Sequence, residues 1–143
     1  MKLSMKWLRE FVDIDDVDMR DFSEAMSMSG SKVEGYERMG AAVTRVVAGK
    51  VLSVEKHPNA DRLWVCRVDA GEGAPLQILT GATNVVPGAM VPVALDGSTL
   101  PGGVTIRRGM MRGLESNGML CSLGELGLEP GDFPYAVANG IFL

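Results

Sequence analysis

The sequence predicts a mainly β protein, a small closed barrel of five antiparallel strands preceded by two short α-helices. Three observations lead there. Residues 41–143 are rich in valine and are interrupted at short intervals by "DAGEGAP", "NVVPGA" and "LDGSTLPGG", which is how short antiparallel strands and their turns read. The run "WVCRV" alternates with the period of a half-buried strand. Residues 1–40 have the punctuation and spacing of helices instead. The chain is therefore read as a helical segment, 1–40, and a β domain, 41–143.

In the first segment Ser4 is placed to cap a short helix that presents Leu8, Phe11 and Val12 on one face, with Trp7 at its border. A second helix starts near Asp18, whose carboxylate can accept from free N–H groups of the first turn. Its apolar stripe is Met19, Phe22, Ala25 and Met26. Gly30 fits the left-handed position just beyond its end. Two such short helices need a further surface to pack on.

In the second segment strands are expected near 45–56, 64–70, 76–81, 90–95 and 104–108. Five strands in about a hundred residues suit a small barrel, the oligonucleotide/oligosaccharide-binding (OB) type among others. An immunoglobulin-like sandwich would need about seven. The uncharged run from Gly73 to Leu95 is no membrane span, because Pro75, Gly81, Pro87, Gly88 and Pro92 would break a helix there. The N-terminus "MKLSMKWLREF" spreads its charges and lacks the apolar core of a signal segment. No membrane association is expected.

The connection "KHPNADRL" between the first two strands is unusually polar and holds His57, the only histidine. Pro58 fixes a turn, Asn59 and Asp61 can bond their own backbone, and Leu63 returns the chain to the core. His57 reads as a structural or rim residue rather than a catalyst. Cys66 falls on the apolar face of its strand with Trp64 and Val68. With Cys121 it reads as a buried thiol of a reduced, cytoplasmic protein, since the two form neither a zinc signature nor a disulfide framework. No catalytic or metal-binding residues are expected, and no Walker or dinucleotide loop is present.

The net charge of −4 argues against a strong non-specific nucleic-acid binder. Its distribution is uneven: residues 1–40 hold six basic and nine acidic groups, residues 41–143 eight and nine. Gly97 to Leu114 carries Arg107, Arg108 and Arg112 with no acid. That run is open to two readings, a local basic patch or a solvated strand face. If the barrel holds single-stranded nucleic acid across one face, Lys56, Arg62, Arg107, Arg108 and Arg112 can meet phosphates. Asn59, Asn84 and Ser116 can then read base edges or ribose hydroxyls. Trp64 can either stack on a base or pack in the core.

Taken together, "KHPNADRLWVCRVDAG", "GATNVVPGAMVPVA", "LPGG" and "MRGLESNGMLCSLGELGL" resemble the tRNA-binding OB domain shared by several synthetase-associated proteins. With "MKLSMKWLREFVDI", "AMSMSG" and "KVEGYE" before it, nearly the whole chain resembles the start of the bacterial phenylalanyl-tRNA synthetase beta subunit. Thr80 and Met111 depart mildly from the family's pattern, where Cys and Leu are frequent, both at expected core positions. Within the "SNGML" motif Ser116 and Met119 are expected to contribute local shape to an RNA site.

The resemblance implies a non-catalytic, tRNA-binding, N-terminal piece of a much longer chain. The whole enzyme would be a tetramer of two alpha and two beta subunits joining phenylalanine to its tRNA with ATP and magnesium. The piece itself would need no cofactor. Its helices would pack with missing downstream chain, and without it could mediate self-association. Two other readings stand beside this one: a free-standing tRNA-binding chaperone, and an OB module that mainly contacts protein.

Overall fold

The computed structural model describes residues 1–38, 40–137 and 139–143, Asp132 by its backbone only. It forms two compact units, Met1–Met39 and Gly40–Leu143.

In the first unit, α1 (Met5–Leu8) is a single turn whose Trp7 N–H donates to Ser4 Oγ at 3.3 Å. The expected apolar face is only begun: Leu8 is half-buried, whereas Phe11 and Val12 are exposed. Phe11 instead meets Trp7 edge-on, ring centroids 5.4 Å apart. In α2 (Met19–Met28), the Asp18 carboxylate accepts from the N–H groups of Arg20 at 2.8 Å and Asp21 at 3.4 Å. At the other end Gly30 takes φ 104°. There Ser31 N–H reaches the Met26 carbonyl and Gly30 N–H that of Ser27, the paired bonds of a Schellman ending. Met19, Phe22 and Met26 are half-buried, while Ala25, at the edge of that stripe, is exposed.

The second unit is the expected OB-type barrel. β1 (Thr44–Lys56) is shared between two partners. Its first half pairs antiparallel with β4 (Met90–Leu100), Val46 opposite Ala94 and Lys50 opposite Met90. Its second half pairs with β2 (Trp64–Asp69), Lys56 opposite Trp64. A bulge between Val51 and Ser53 bends it. Gly49 sits inside the bend, where a Cβ would come within 2.6 Å of Val93 Cγ2 and 2.8 Å of Val68 Cγ1. β2 continues to β3 (Leu76–Thr80). The core is made by the alternate inward residues Val51, Cys66, Val68, Ile78, Val91, Val93, Leu95 and Leu120.

The last strand differs from expectation. Of 104–108, only Val104–Thr105 forms a regular strand, β5, paired with the far end of β4, and Ile106 adds backbone bonds to Gly97 and Ser98. β4 turns at Asp96–Gly97, Gly97 at φ 81°, to make that pairing, so it runs five residues past the expected end. β6 (Gly109–Met111) and β7 (Leu114–Ser116) form a separate two-stranded hairpin. The barrel is completed by β8 (Gly118–Leu120), which pairs with β4, Leu95 opposite Gly118. Against β3 the closure uses individual bonds: Asn117 N–H to the Gln77 carbonyl at 2.8 Å, and Leu79 N–H to Ser116 Oγ at 3.0 Å. Three residues beginning with glycine are too short a run to read as a strand, so local sequence does not reveal this one.

Two buried serines behave oppositely. Ser116 Oγ accepts from Leu79 and donates to the Gly118 carbonyl at 3.0 Å. Ser98 Oγ has no hydrogen-bond partner among the described residues. Ser116→Ala leaves the Leu79 N–H unpaired and should lose about 1–3 kcal/mol, whereas Ser98→Ala removes an unsatisfied hydroxyl and should be neutral or stabilising. Urea unfolding of both variants checks this; equal destabilisation would contradict it.

Candidate nucleic-acid interface

Three segments converge at one end of the barrel: the loop 57–63, the exit of β3, and the β6–β7 hairpin. A Cβ placed on Gly81 would stand 3.6 Å from the Arg62 carbonyl oxygen, and the His57 ring reaches the Met111 carbonyl. Beside them lies an open groove of about 710 Å³, whose walls include Thr80, Gly81, Ala82, Arg107, Met110 and Met119. Thr80 Oγ1 accepts from Ala82 N–H at 3.1 Å and turns the chain out of β3 into that wall.

The "KHPNADRL" loop is organised by its histidine. His57 is 3% exposed. Its N–H donates to the Leu63 carbonyl at 3.0 Å, closing the base of the loop. Nδ1 accepts from Asn59 N–H at 3.0 Å. That leaves the proton on Nε2, which donates to the Met111 carbonyl at 3.3 Å. The expected local bonds from the Asn59 and Asp61 side chains are replaced by this ring; Asp61 instead stands 3.9 Å from Lys56 Nζ, an exposed pair of small energetic weight.

The arginines of the acid-free stretch differ in their surroundings. Arg107 lines the groove. Arg108 is met by Asp96, which lies just outside that stretch in sequence and is returned by the turn of β4. Its N–H donates to Asp96 Oδ1 at 2.8 Å and its Nε is 3.6 Å from Oδ2. Arg112 stands at the tip of the β6–β7 hairpin with φ 51°, followed by Gly113 at φ 91°. Those angles make a two-residue type I′ turn, where Asn-Gly is the favoured pair. A left-handed arginine costs about 1–2 kcal/mol relative to glycine. Arg62, Arg107 and Arg112 are exposed and make no ion pair among the described residues.

Other candidates serve the fold. Asn84 donates from Nδ2 to the Ile141 carbonyl at 2.8 Å and accepts from Ile141 N–H at 3.0 Å, tying buried Ile141 into the core. Ser116 is the buried barrel tie described above. Both therefore have an internal structural role in addition to the RNA-reading one expected of them. Met119 is half-buried, packed with Ala94, Leu100 and Cys121, and also borders the groove. Trp64 is half-buried on the face of Cys66 and Val68. Of the two departures expected in the core, Thr80 is buried but Met111 is 42% exposed, because it belongs to the outlying hairpin. Met110 and the β3 exit are not singled out by the sequence reading. The available signal is "MMRGLE", a two-residue turn ending in glycine between apolar and alternating residues.

Cys66 and Cys121 are free and buried. Burial raises the Cys66 pKa. Burial first, then the nearby Glu125 carboxylate, pushes Cys121 up to about 11, with a backbone hydrogen bond from Ala94 working the other way. The Glu125 carboxylate is held by Ser122, whose N–H and Oγ donate to it at 2.6 and 2.8 Å.

The chain matches the family described as "Putative tRNA binding domain" over residues 46–137. It is similar to three phenylalanine–tRNA ligase beta subunits. It is 46% identical over 143 residues to that of Geobacillus kaustophilus, covering 100% of this chain and 18% of that one. It is 48% identical over 128 residues to that of Clostridium acetobutylicum, covering 90% and 16%. With that of Synechococcus sp. it shares 50% identity over 129 residues, again covering 90% and 16%. The chain thus spans less than a fifth of the length of these relatives.

Raised thiol pKa values have a defined consequence. The unfolded thiol ionises near pH 9.0, the folded Cys121 near 11. The stabilisation from keeping it protonated is therefore whole below pH 9.0 and is lost as pH rises towards 11. Thermal unfolding should show the midpoint falling across that window, less steeply in Cys121→Ala. At pH 8 both thiols should resist a disulfide reagent until denaturant is added; rapid reaction in the native state would contradict their burial.

Proposed function

Because the chain belongs to the tRNA-binding domain family, we propose that it holds tRNA at the groove beside the β6–β7 hairpin, as the N-terminal portion of a phenylalanine–tRNA ligase beta subunit. The observation that carries the choice of surface is Arg107 in the groove wall, with Arg62 and Arg112 on the segments that converge there. Guanidinium groups so placed neutralise phosphates and set register rather than read sequence. Met110 and Met119 offer apolar, adaptable surface. With few phosphates met and a net charge of −4, binding is weak, with a salt dependence proportional to those few contacts.

On this reading the chain catalyses nothing by itself. Both His57 ring nitrogens are engaged, and the thiols are held protonated. Among the described residues no group of three His, Cys, Asp or Glu side chains could hold a metal ion. ATP and magnesium, aminoacylation, and assembly with an alpha subunit into a two-alpha, two-beta tetramer belong on this reading to the rest of the ligase. Two reduced thiols suit the cytoplasm, and no helix among the described residues is long and apolar enough to cross a membrane. The Asp96–Arg108 pair favours a second reading, an OB module that mainly contacts protein.

A salt titration of tRNA binding separates the two. Arg107→Ala with Arg112→Ala should weaken binding to all tRNAs alike. The slope of log affinity against log salt should flatten by about 0.7–0.9 for each phosphate left without its guanidinium. Arg108→Ala should do much less. No salt-dependent tRNA binding by the wild-type chain would leave the protein-contact reading.

The helical unit also leaves Trp7, Phe11, Val12 and Met28 exposed, an apolar surface of the kind that finds another chain. The isolated 143-residue chain should self-associate through it. Sedimentation should show this reduced by Trp7→Ser with Phe11→Ser; a wild-type monomer at high concentration would count against it.

A further inference from the structure

The β6–β7 hairpin has three residues in each strand and, among the described residues, pairs with no other strand. A hairpin of that size is marginal by itself. Its β7 side is fastened to the barrel twice: Gln77 Nε2 donates to the Glu115 carbonyl at 2.8 Å, and Ser116 takes the Leu79 N–H. On the β6 side Asp96 Oδ1 holds the Arg108 N–H at 2.8 Å just before the strand, and near the tip the fastening is the His57 Nε2 bond to the Met111 carbonyl, across 54 residues of sequence. Arg112 follows directly, held in its left-handed turn.

We propose that His57 is a positioning residue for RNA binding, locking the β6–β7 hairpin, and with it Arg112, against the 57–63 loop. The inference rests on the tRNA-binding reading. The ring is suited to the task because the loop's own backbone sets its tautomer. Asn59 N–H occupies Nδ1, which leaves a single donor pointing outward. The acceptor is a main-chain carbonyl, so the lock is indifferent to the side chain at 111 and specific for the one at 57. Without it the β6 side is held only at its start, by Asp96, and Arg112 at the tip loses its fixed relation to Arg62 and the groove.

The two halves of the ring's role can be separated by substitution. His57→Asn retains an acceptor near the Nδ1 position but cannot reach Met111. His57→Gln extends an amide to the Nε2 position and can still donate there. Binding of unfractionated tRNA is measured for both variants, for Arg112→Ala, and for each combined with Arg112→Ala, at temperatures where thermal unfolding shows every variant folded. His57→Asn should weaken binding about three- to tenfold, the size of one charge-assisted phosphate interaction. It should have no further effect once Arg112 is alanine. His57→Gln should bind nearly as wild type. Amide exchange at Met111–Gly113 should accelerate in His57→Asn and not in His57→Gln.

Multiplicative effects of His57→Asn and Arg112→Ala would overturn the proposal, as would wild-type binding by folded His57→Asn. If no variant, nor the wild type, binds tRNA in a salt-dependent way, the tRNA reading falls. The exchange measurement then decides the lock: unchanged protection at Met111–Gly113 in His57→Asn refutes it.

Discussion

The barrel exists as a barrel because β3 is closed onto the segment 116–120, and that closure uses one backbone bond, from Asn117 N–H to the Gln77 carbonyl, one hydroxyl and one missing side chain. Ser116 Oγ stands in for a strand partner to the Leu79 N–H. Gly118 lets β8 pass so close to β4 that a Cβ would fall 2.6 Å from the Ala94 carbonyl oxygen. A sheet left open between β3 and β8 would present two unpaired edges and a half-wet core. With it shut, Cys66, Val68, Ile78 and Val93 are sealed from water altogether. Each such aliphatic burial is worth about 1.5–3 kcal/mol. The Ser116 bond is smaller than any of them, and with the Asn117–Gln77 bond it holds shut the seam behind which they are made.

How much of this is legible in the sequence follows from what each signal depends on. β1 to β3 and the start of β4 depend on local alternation, and the expected bounds of β1 and β3 lie within about a residue of those observed. Both helix starts depend on the cap residues Ser4 and Asp18, which bond as their types require. The closing strand depends on a contact between residue 79 and residue 116, which no local pattern carries. The turn of β4 at Gly97 is hidden for a related reason. "LDGSTL" reads as a loop, yet it carries a strand from one partner to the next.

The same distinction explains the candidate site. Arginine supply is readable; arginine placement is not. Gly97 to Leu114 is free of acid along the chain, but charge acts through space. Asp96 folds back on Arg108 with one backbone bond and one exposed ion pair. Such a pair contributes little to stability, about 0.2–1 kcal/mol, but it offers a phosphate a partly neutralised partner. Asn84 and Ser116 have the right chemistry for reading RNA, and each is also tied to main-chain groups far away in sequence. Polar residues in a motif are as readily the fastenings of a fold as the contacts of a ligand.

What remains exposed at that end of the barrel is therefore held by residues that are not. His57 is buried, and its hydrogen bonds go only to backbone, yet the loop carrying Arg62 and the hairpin carrying Arg112 meet through it. The Arg112 backbone is less favourable than Asn or Gly would be at that turn. Strain in one charged residue at the tip of an otherwise thin hairpin is tolerated where the surrounding bonds fix the conformation. The polar "KHPNADRL" connection, longer than a hairpin needs, supplies such bonds: a turn, a closed base, and a ring whose last hydrogen is directed at the neighbouring segment. A shorter turn would have joined β1 to β2 equally well, but it would have left the β6 side held only at its start, where Asp96 takes the Arg108 N–H.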